Sequence, residues 1–378
     1  MATPSDSVRL GYRPALDGIR GIAVLLVVWF HASLNFGGPV GALQRRWVQG
    51  GWAGVELFFV LSGFLITTLL LEEWDRRGDV SLGAFYRRRA MRLLPALAVL
   101  LLVALAYTQL VEQPRGAQLN GVVSAALYQA DWADVQKVDL AALGHTWTLS
   151  VEGQFYLLWP PVLLLLVDRL RPSRVMLATL GLALAFAADR AVVWLRTGEL
   201  LRTVHGLDAQ ADTLLLGALI GMAFHWRLLD RAPRLAGALR YAFVPAFALF
   251  MVASWLAVPE NLFWVIGVLG LCSALMVLAA VELPVAGARR LLVQRDLVWL
   301  GQISYSLYLW HVPVMRLIPP GTVPEELLVL VRVALSFALA LLSYHLVERP
   351  VSRLRHRPTN EKIDEMPRLA RAENVRTA

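Results

Sequence analysis

Three ionisable residues stand at helical spacing in one apolar segment near the start of the chain, LDGIRGIAVLLVVWFHASLNF. Arg20 and His31 are eleven positions apart, which is about 20° beyond three helical turns, so they share one face and lie roughly 16 Å apart along it. Asp17 lies one turn from Arg20 on the same face. The sequence alone leaves two interpretations open: an Asp–Arg pair at a membrane boundary plus a buried histidine, or a functional set.

A second apolar segment, GHTWTLSVEGQFYLLWPP, contains a carboxylate. Glu152 is seven residues from His145 and one turn from Tyr156, so the spacing predicts that all three project to nearly one face. Trp147 is close to the start of the same segment. Because an ionised group in hydrocarbon costs several kcal/mol on most scales, roughly 3 on insertion scales, Glu152 favours a functional role.

The segment FYRRRAMRLLPA places Arg88, Arg89 and Arg92 on one side of a helix that enters the membrane. Such a cluster can hold the topology of the chain and bind anionic lipid. It can also clamp phosphate groups, because guanidinium forks bind phosphate oxygens in pairs.

Further polar residues accompany these groups. Glu56 lies near the outer start of GWAGVELFFVLSGFLITTLL, and Ser62 and Gly63 lie in its middle, where glycine allows close approach of a helix or a ligand. We assign Ser62 and Gly63, with the three arginines, to donor binding. The remaining candidates, in acceptor-binding or structural roles, are Asp17, Glu56, His145, Trp147, Tyr156, Asp212, Tyr305 and His311.

The elements that must position these residues are membrane helices. The chain has 378 residues, of which 57% are hydrophobic and 17% charged, and its mean hydropathy is +0.57, more than a soluble core needs. We therefore expect the positive residues behind its net charge of +8 to be concentrated on one side of the membrane. We expect no nucleic-acid partner. Its single cysteine, Cys272, offers neither a disulfide framework nor a cysteine metal site, and no metal is expected.

Windows long enough to span hydrocarbon predict an all-α, polytopic bundle of about ten transmembrane helices. A transmembrane domain is expected over 1–350, and a charged, disordered cytoplasmic tail over 351–378. The stretch 112–145 is the longest outer connection, and its segment LNGVVSAALYQADW is too short to cross, which predicts an outer helix or a re-entrant segment. The windows lie near 17–36, 52–71, 93–111, 149–167, 175–195, 210–226, 239–257, 262–282, 297–316 and 326–347.

Positive charges set the predicted orientation. With a cytoplasmic N-terminus, the inner segments contain most of the arginines, and the opposite loops contain few. The positive-inside rule therefore places both termini in the cytoplasm of a multi-pass protein of the inner, or plasma, membrane.

Taken together, the motifs resemble the integral-membrane acyltransferase 3 family. The matching stretches follow family order: RPALDGIRGIAVLLVVWFHA, GVELFFVLSGFLIT, RRRAMRLLP, HTWTLSVEGQFYLLWP, ADTLLLG and ISYSLYLWHVP. The resemblance implies transfer of an acyl group, with acetyl expected, from cytoplasmic acyl-CoA to a hydroxyl. It also assigns central roles to Arg20 and His31, places Arg89 and Arg92 at the motif arginines, and matches Glu152 to the motif glutamate.

Two departures from the family pattern stand out. Gly153 follows Glu152 where the motif often has a second acid, and Glu56 replaces a frequent aspartate with a longer carboxylate. Any function of a second carboxylate is therefore absent, or a residue elsewhere in the chain performs it.

The predicted function is membrane-embedded O-acylation of a carbohydrate, a lipid-linked sugar or a small metabolite. His31 is the expected base, because a hydroxyl is a poor nucleophile until its proton is taken. Glu152 is expected to orient His31 from a facing helix. The expected partners are acyl-CoA, bound as a substrate and not as a resident cofactor, the acceptor and the bilayer. The alternatives are a proton-coupled transporter and a structural scaffold, although the scaffold leaves Glu152 unexplained.

Overall fold

The computed structural model describes residues 10–33, 49–110, 115–239, 241–282, 288–319 and 321–355, and the regular structure of these residues is helical. The helices are α1 (Pro14–Ser33), α2 (Gly54–Arg77), α3 (Leu82–Leu110), α4 (Arg115–Ala126), α5 (Ala130–Val135), α6 (Trp147–Arg169), α7 (Pro172–Thr197), α8 (Leu200–Val204), α9 (Leu207–His225), α10 (Pro233–Leu239), α11 (Phe243–Trp255), α12 (Leu262–Glu282), α13 (Ala288–Leu292), α14 (Arg295–Leu317), α15 (Glu325–Ser343) and α16 (Arg349–Arg355).

Membrane-spanning helices dominate the described part of the chain. Eight of them are long and apolar enough to cross a bilayer, and α10 with α11, bent by 57°, makes a ninth if counted as one span. The more polar α14 has 23 residues. Each predicted window overlaps one of these helices, so the all-α polytopic class is confirmed. The orientation across the membrane stays a prediction, and "inner" and "outer" below follow it.

Two glycines bring the central helices α2 and α9 together. In α2, 83% of the spanning window is buried, whereas the corresponding value in α3 is 17%. A Cβ at Gly63 would overlap the carbonyl oxygen of Leu214, and one at Gly217 would overlap that of Val60. Helix packing therefore explains Gly63, and its predicted place in donor binding stays a prediction.

Glycines also set the contact between α1 and α14. A Cβ at Gly301 would overlap the backbone of Asp17, and one at Gly21 would overlap the carbonyl oxygen of Leu297. From this crossing both helices continue for about ten residues toward His31 and His311. The imidazole rings of these two residues meet, with centroids 4.9 Å apart.

The outer stretch 112–145 contains two short helices. Helix α4 has 12 residues and α5 has 6, and a 3-10 turn, Ala141–Thr146, leads into α6. His145 belongs to this turn and not to the α-helix that contains Glu152. The α-helical spacing that predicted a common face for the two therefore does not apply.

The end of the chain departs slightly from the predicted boundary. Tyr344–Glu348 forms a π-helical segment, and α16 crosses the expected domain limit at residue 350. The predicted tail beyond 355 lies outside the described residues.

A buried ion pair that sequence reasoning did not single out joins α7 to α9. Arg190 donates to both carboxylate oxygens of Asp212, at 2.6 and 2.7 Å, and to the carbonyl oxygens of Ala209 and Phe263, at 2.6 and 2.8 Å. The two side chains are 1% and 5% exposed. Four of the five guanidinium N–H donors are therefore used inside the bundle.

Removal of one member of this pair should strongly destabilise the fold. In Arg190→Met, Asp212 stays buried without its cation, and we expect the free energy of unfolding to fall by about 3–5 kcal/mol. Unfolding in mixed micelles measures this loss. Arg190→Met/Asp212→Leu should recover most of it, and Arg196→Met, at an exposed position of the same helix, should lose little. Wild-type stability in the single variant would contradict the assignment.

Candidate active site

Five helices enclose a narrow polar pocket, here called the inner pocket, with a volume of about 70 Å³. Seven of the predicted site residues line it together, namely Arg20, Ser62, Arg89, Arg92, Glu152, Tyr156 and Tyr305. The other lining residues are Val55, Phe58, Phe59, Leu93, Thr148, Leu149, Ser304 and Tyr308. Residues far apart in the chain thus form one site.

Glu152 is held by two hydroxyl donors in this pocket. Ser62 donates to one carboxylate oxygen at 2.6 Å, and Tyr156 donates to the other at 3.0 Å. Tyr156 also approaches the Ser62 hydroxyl at 2.9 Å. The prediction that Tyr156 lies one turn from Glu152 is confirmed, and Ser62 contacts the carboxylate.

The arginines make the inner pocket positive. Three guanidinium groups, of Arg20, Arg89 and Arg92, line it against the single carboxylate of Glu152. Arg89 lies over the Tyr156 ring, 5.3 Å from its centroid, and Arg92 is exposed. Asp17 is 3.9 Å from Arg20, as its helical spacing predicted. An excess of positive charge at a pocket favours an anionic ligand.

Arg88 has a different partner from its two neighbours. Its guanidinium donates to the buried carboxylate of Glu73 on α2, at 2.8 Å. Arg89 and Arg92 line the pocket, whereas Arg88 ties α3 to α2. The predicted place of Arg88 in donor binding stays a prediction, weakened by its pairing with Glu73.

The environment of His31 fixes its tautomer. Its Nδ1 lies 2.9 Å from the carbonyl oxygen of Val27. A carbonyl oxygen only accepts, so Nδ1 carries the proton and the Nε2 lone pair is the one that can take another. This arrangement suits a neutral imidazole acting as a base.

Two more histidines pack beside His31. The rings of His145 and His311 have centroids 5.3 Å apart, and Tyr308 donates to the carbonyl oxygen of His145 at 2.8 Å. His311 likewise keeps a lone pair on Nε2, since its Nδ1 donates to the carbonyl oxygen of Tyr308 at 2.6 Å. Neither His311 Nε2 nor His145 Nδ1 has a hydrogen-bond partner among the described residues. The predicted candidates His145 and His311 thus form one cluster with His31.

His31 lines a second and larger space, here called the outer cavity, with a volume of about 850 Å³. The lining residues come from α1, α3, α4, α14, the 3-10 turn before α6, and the region from α15 into the π-helical segment. Arg20 lines the inner pocket instead. The two predicted central residues therefore share one helix but open to different spaces.

Phe58 and Tyr308 belong to the inner pocket and lie near the histidine cluster. Both line the inner pocket, their rings lie 6.3 Å apart, and Tyr308 also contacts His311, with centroids at 5.2 Å. Glu152 is bound to Ser62 and Tyr156 on the inner side. The predicted orientation of His31 by Glu152 stays a prediction.

A steric reason explains why Gly153 follows Glu152, where the motif often has a second acid. A Cβ at this position would overlap the ring of Tyr128. A second acid beside Glu152 therefore has no room while Tyr128 keeps this position. The next residue, Gln154, donates to the carbonyl oxygen of Tyr128 at 2.9 Å.

The remaining candidates lie away from the inner pocket or at its edge. Glu56 is 1% exposed and close enough to Arg190 and Asp212 for their charges to interact, so Glu56 and Asp212 belong to the buried ion-pair region. Trp147 stacks on His205 with ring centroids 4.1 Å apart. Tyr305 lines the inner pocket and donates to the carbonyl oxygen of Leu93 at 2.8 Å.

Two residues of the inner pocket could not be predicted as site residues from the sequence. Thr148, whose hydroxyl lies 2.6 Å from that of Tyr308, and Ser304 line the inner pocket, but small hydroxyl residues are common in membrane helices. Arg190 did carry a signal, because an arginine inside an apolar window requires a partner.

Comparison with known proteins establishes the class. A family described as an acyltransferase domain matches residues 13–347, so the chain belongs to this acyltransferase family. The resemblance predicted from the motifs is thereby confirmed. No solved structure matches the chain.

Among individual relatives, the chain is 30% identical over 357 residues to the O-acetyltransferase OatA of Staphylococcus aureus, covering 90% of this chain and 57% of that protein. It is 30% identical over 363 residues to the peptidoglycan O-acetyltransferase OatA of Listeria monocytogenes, covering 90% and 56%. A putative O-acetyltransferase of Staphylococcus aureus is 29% identical over 389 residues, covering 96% and 61%. The chain thus spans less than two thirds of the length of these relatives.

Proposed function

We propose that this protein is a membrane O-acetyltransferase that moves an acetyl group from acetyl-CoA to a hydroxyl of an envelope carbohydrate or a lipid-linked sugar. Family membership and relatives named as O-acetyltransferases support the reaction class. The observation that carries the proposal is the pairing, on one helix, of an arginine in a positive inner pocket with a histidine whose Nε2 is free to accept a proton.

The proposed binding of acetyl-CoA depends on charge complementarity. Coenzyme A carries phosphates at one end and its thioester on a long arm at the other. An inner pocket of about 70 Å³ is too small for the whole molecule, so the phosphates stay at its arginine-lined mouth. Arg92 is exposed there, and Arg89 and Arg20 are half-buried. The thioester arm then extends toward Phe58 and Tyr308.

The chemical step needs one proton transfer. The acceptor hydroxyl attacks the thioester carbonyl while His31 Nε2 takes its proton, so that a C–O bond forms. The tetrahedral intermediate then collapses, the C–S bond breaks, and the proton passes to the departing coenzyme A thiolate. The products are the acetyl ester and free coenzyme A. In this proposal the donor arm passes Phe58 and Tyr308 on its way to His31.

The direct test is turnover of acetyl-CoA by the purified protein in nanodiscs. Release of free coenzyme A and transfer of labelled acetyl to a hydroxyl acceptor are expected, and neither a transporter nor a scaffold predicts them. Mass spectrometry of envelope glycans and small metabolites, with and without the protein, identifies the acceptor. Absence of thioester turnover with every acceptor offered would reject the proposal.

Substitutions of neighbouring arginines test the proposed donor site. Arg89→Gln and Arg92→Gln should each raise the KM for acetyl-CoA by about 10- to 100-fold with a smaller change in kcat, since a hydrogen bond to a charged group contributes about 1.5–3 kcal/mol. Added salt should mimic the loss. Steady-state kinetics at varied acetyl-CoA measures both effects.

Arg88→Gln is the matched control, because Arg88 is paired with Glu73 at 2.8 Å and should leave the KM for acetyl-CoA nearly unchanged. Equal effects at all three positions would indicate a general electrostatic or topological role. Cysteine-accessibility mapping would then show displaced loops.

A further inference from the structure

The outer cavity is larger than the proposed reaction requires. Its volume is about 850 Å³, in the range of a site for a whole ligand, whereas an acetyl group has three heavy atoms. His31 lines the cavity. The space next to the proposed base is therefore available for the acceptor.

The walls of the outer cavity are mainly hydrocarbon. Leu100, Val103 and Ala104 of α3 face Leu339 and Leu342 of α15 across it. Apolar walls favour an apolar occupant, because burial of hydrocarbon is favourable and burial of an unpaired polar group is costly. A bare sugar does not suit most of this surface.

The cavity opens toward the bilayer. Among its lining residues, Val103 is 48% exposed, Leu342 is 55% exposed and Leu346 is 67% exposed. They belong to peripheral helices, since only 17% of the spanning window of α3 and 28% of that of α15 is buried. Exposed apolar side chains at the rim indicate that an occupant enters sideways from the lipid.

Three residues of the cavity lining each have a buried polar atom without a partner in the described part of the chain. Gln118 Oε1, Trp310 Nε1 and Ser343 Oγ have no hydrogen-bond partner among the described residues. Their residues are 6%, 7% and 5% exposed, and all three line the cavity. Unpaired buried polar atoms are rare in native structures. These three atoms are themselves enclosed by protein, so the surface that the cavity offers to an occupant is mainly apolar.

The π-helical segment after α15 shapes one end of the cavity. Its wider turn lets Leu346 and Val347 line the cavity, while the next residue, Glu348, accepts a hydrogen bond from Ser306 on α14. Insertions of this type often occur at functional sites.

We propose that the outer cavity binds the hydrocarbon tail of a membrane-anchored acceptor, a hydroxyl-bearing glycolipid, with its head group directed to His31. The inference rests on the proposed function, because it assigns the acceptor of that reaction. The tail lies between α3 and α15.

Photolabelling tests the site without depending on turnover. The probe is dodecyl β-glucoside carrying a diazirine near the end of its alkyl chain, added to the full chain in phospholipid nanodiscs. Labelling of cavity-lining peptides of α3 and α15 is expected, with displacement by unlabelled dodecyl glucoside. Ala104→Trp fills the cavity and should abolish this labelling.

Leu102→Trp is the matched control, since Leu102 is 65% exposed on the same helix and does not belong to the cavity lining. It should label like wild type. If Ala104→Trp does not give a monodisperse protein, Val103→Trp replaces it. Equal labelling of the filled variant and the control would overturn the inference, because the label would then report only the lipid-facing surface.

Two further reagents, one a photolabel and one a competitor, test whether the cavity has a different occupant. Equal labelling by a diazirine phosphatidylcholine would show that bilayer lipid fills the cavity. Displacement by palmitoyl-CoA but not by dodecyl glucoside would assign the cavity to a long acyl chain of the donor. Either result overturns the inference. Acetyl-CoA turnover is measured separately, so failure of the proposed reaction is distinguishable from failure of the cavity assignment.

Discussion

His31→Ala should lower turnover by about two to four orders of magnitude, the usual contribution of general acid–base catalysis. The base is lost, but the inner pocket that is proposed to bind acetyl-CoA contains other residues. Donor binding should therefore persist. Single-turnover transfer from labelled acetyl-CoA, with a separate binding measurement for the donor, checks both parts.

His345→Ala is the matched control for this variant, because His345 is exposed and packs on Tyr344, with ring centroids 5.3 Å apart. It should keep its turnover. Near-normal turnover in folded His31→Ala would remove His31 from the mechanism, and His311 would become the next residue to examine.

Glu152→Gln should fold and insert normally yet lose turnover by about 10- to 100-fold. The amide removes the single negative charge that lines the inner pocket among its three guanidinium groups. It also replaces one of the two oxygens that accept from Ser62 and Tyr156. Hydrogen bonds to a charged group contribute about 1.5–3 kcal/mol, which corresponds to this range. Steady-state transfer assays measure the loss.

Two variants test whether this effect is electrostatic. Glu152→Asp should rescue only in part, because a carboxylate one methylene shorter does not hold both hydroxyl partners in the same geometry. Glu73→Gln removes another buried carboxylate, paired with Arg88 outside the inner pocket, and should keep most activity. Wild-type rates in Glu152→Gln would show that the residue only fills space.

The sequence by itself determined the properties that depend on near neighbours in the chain. Apolar length predicted the membrane helices, and the 3.6-residue period placed Arg20 and His31 on one face and Tyr156 beside Glu152. These inferences hold because helix geometry is local, so residues three, four or eleven positions apart have fixed relative directions. Motif order along the chain was sufficient to recognise the family.

Only the tertiary structure decided which residues from different helices meet. It paired Arg88 with Glu73 and left Arg89 and Arg92 at the inner pocket. It also joined Arg190 to Asp212 across 22 positions of the chain.

The separation of Arg20 and His31 into two spaces has the same origin. Their common helix was predictable, but the rotation and neighbours of that helix depend on close contacts between backbones, such as that of Gly301 with Asp17. Such contacts join residues hundreds of positions apart and leave no periodic trace in the sequence. The outer cavity, which lies between peripheral helices and the α1–α14 pair, is a product of that packing.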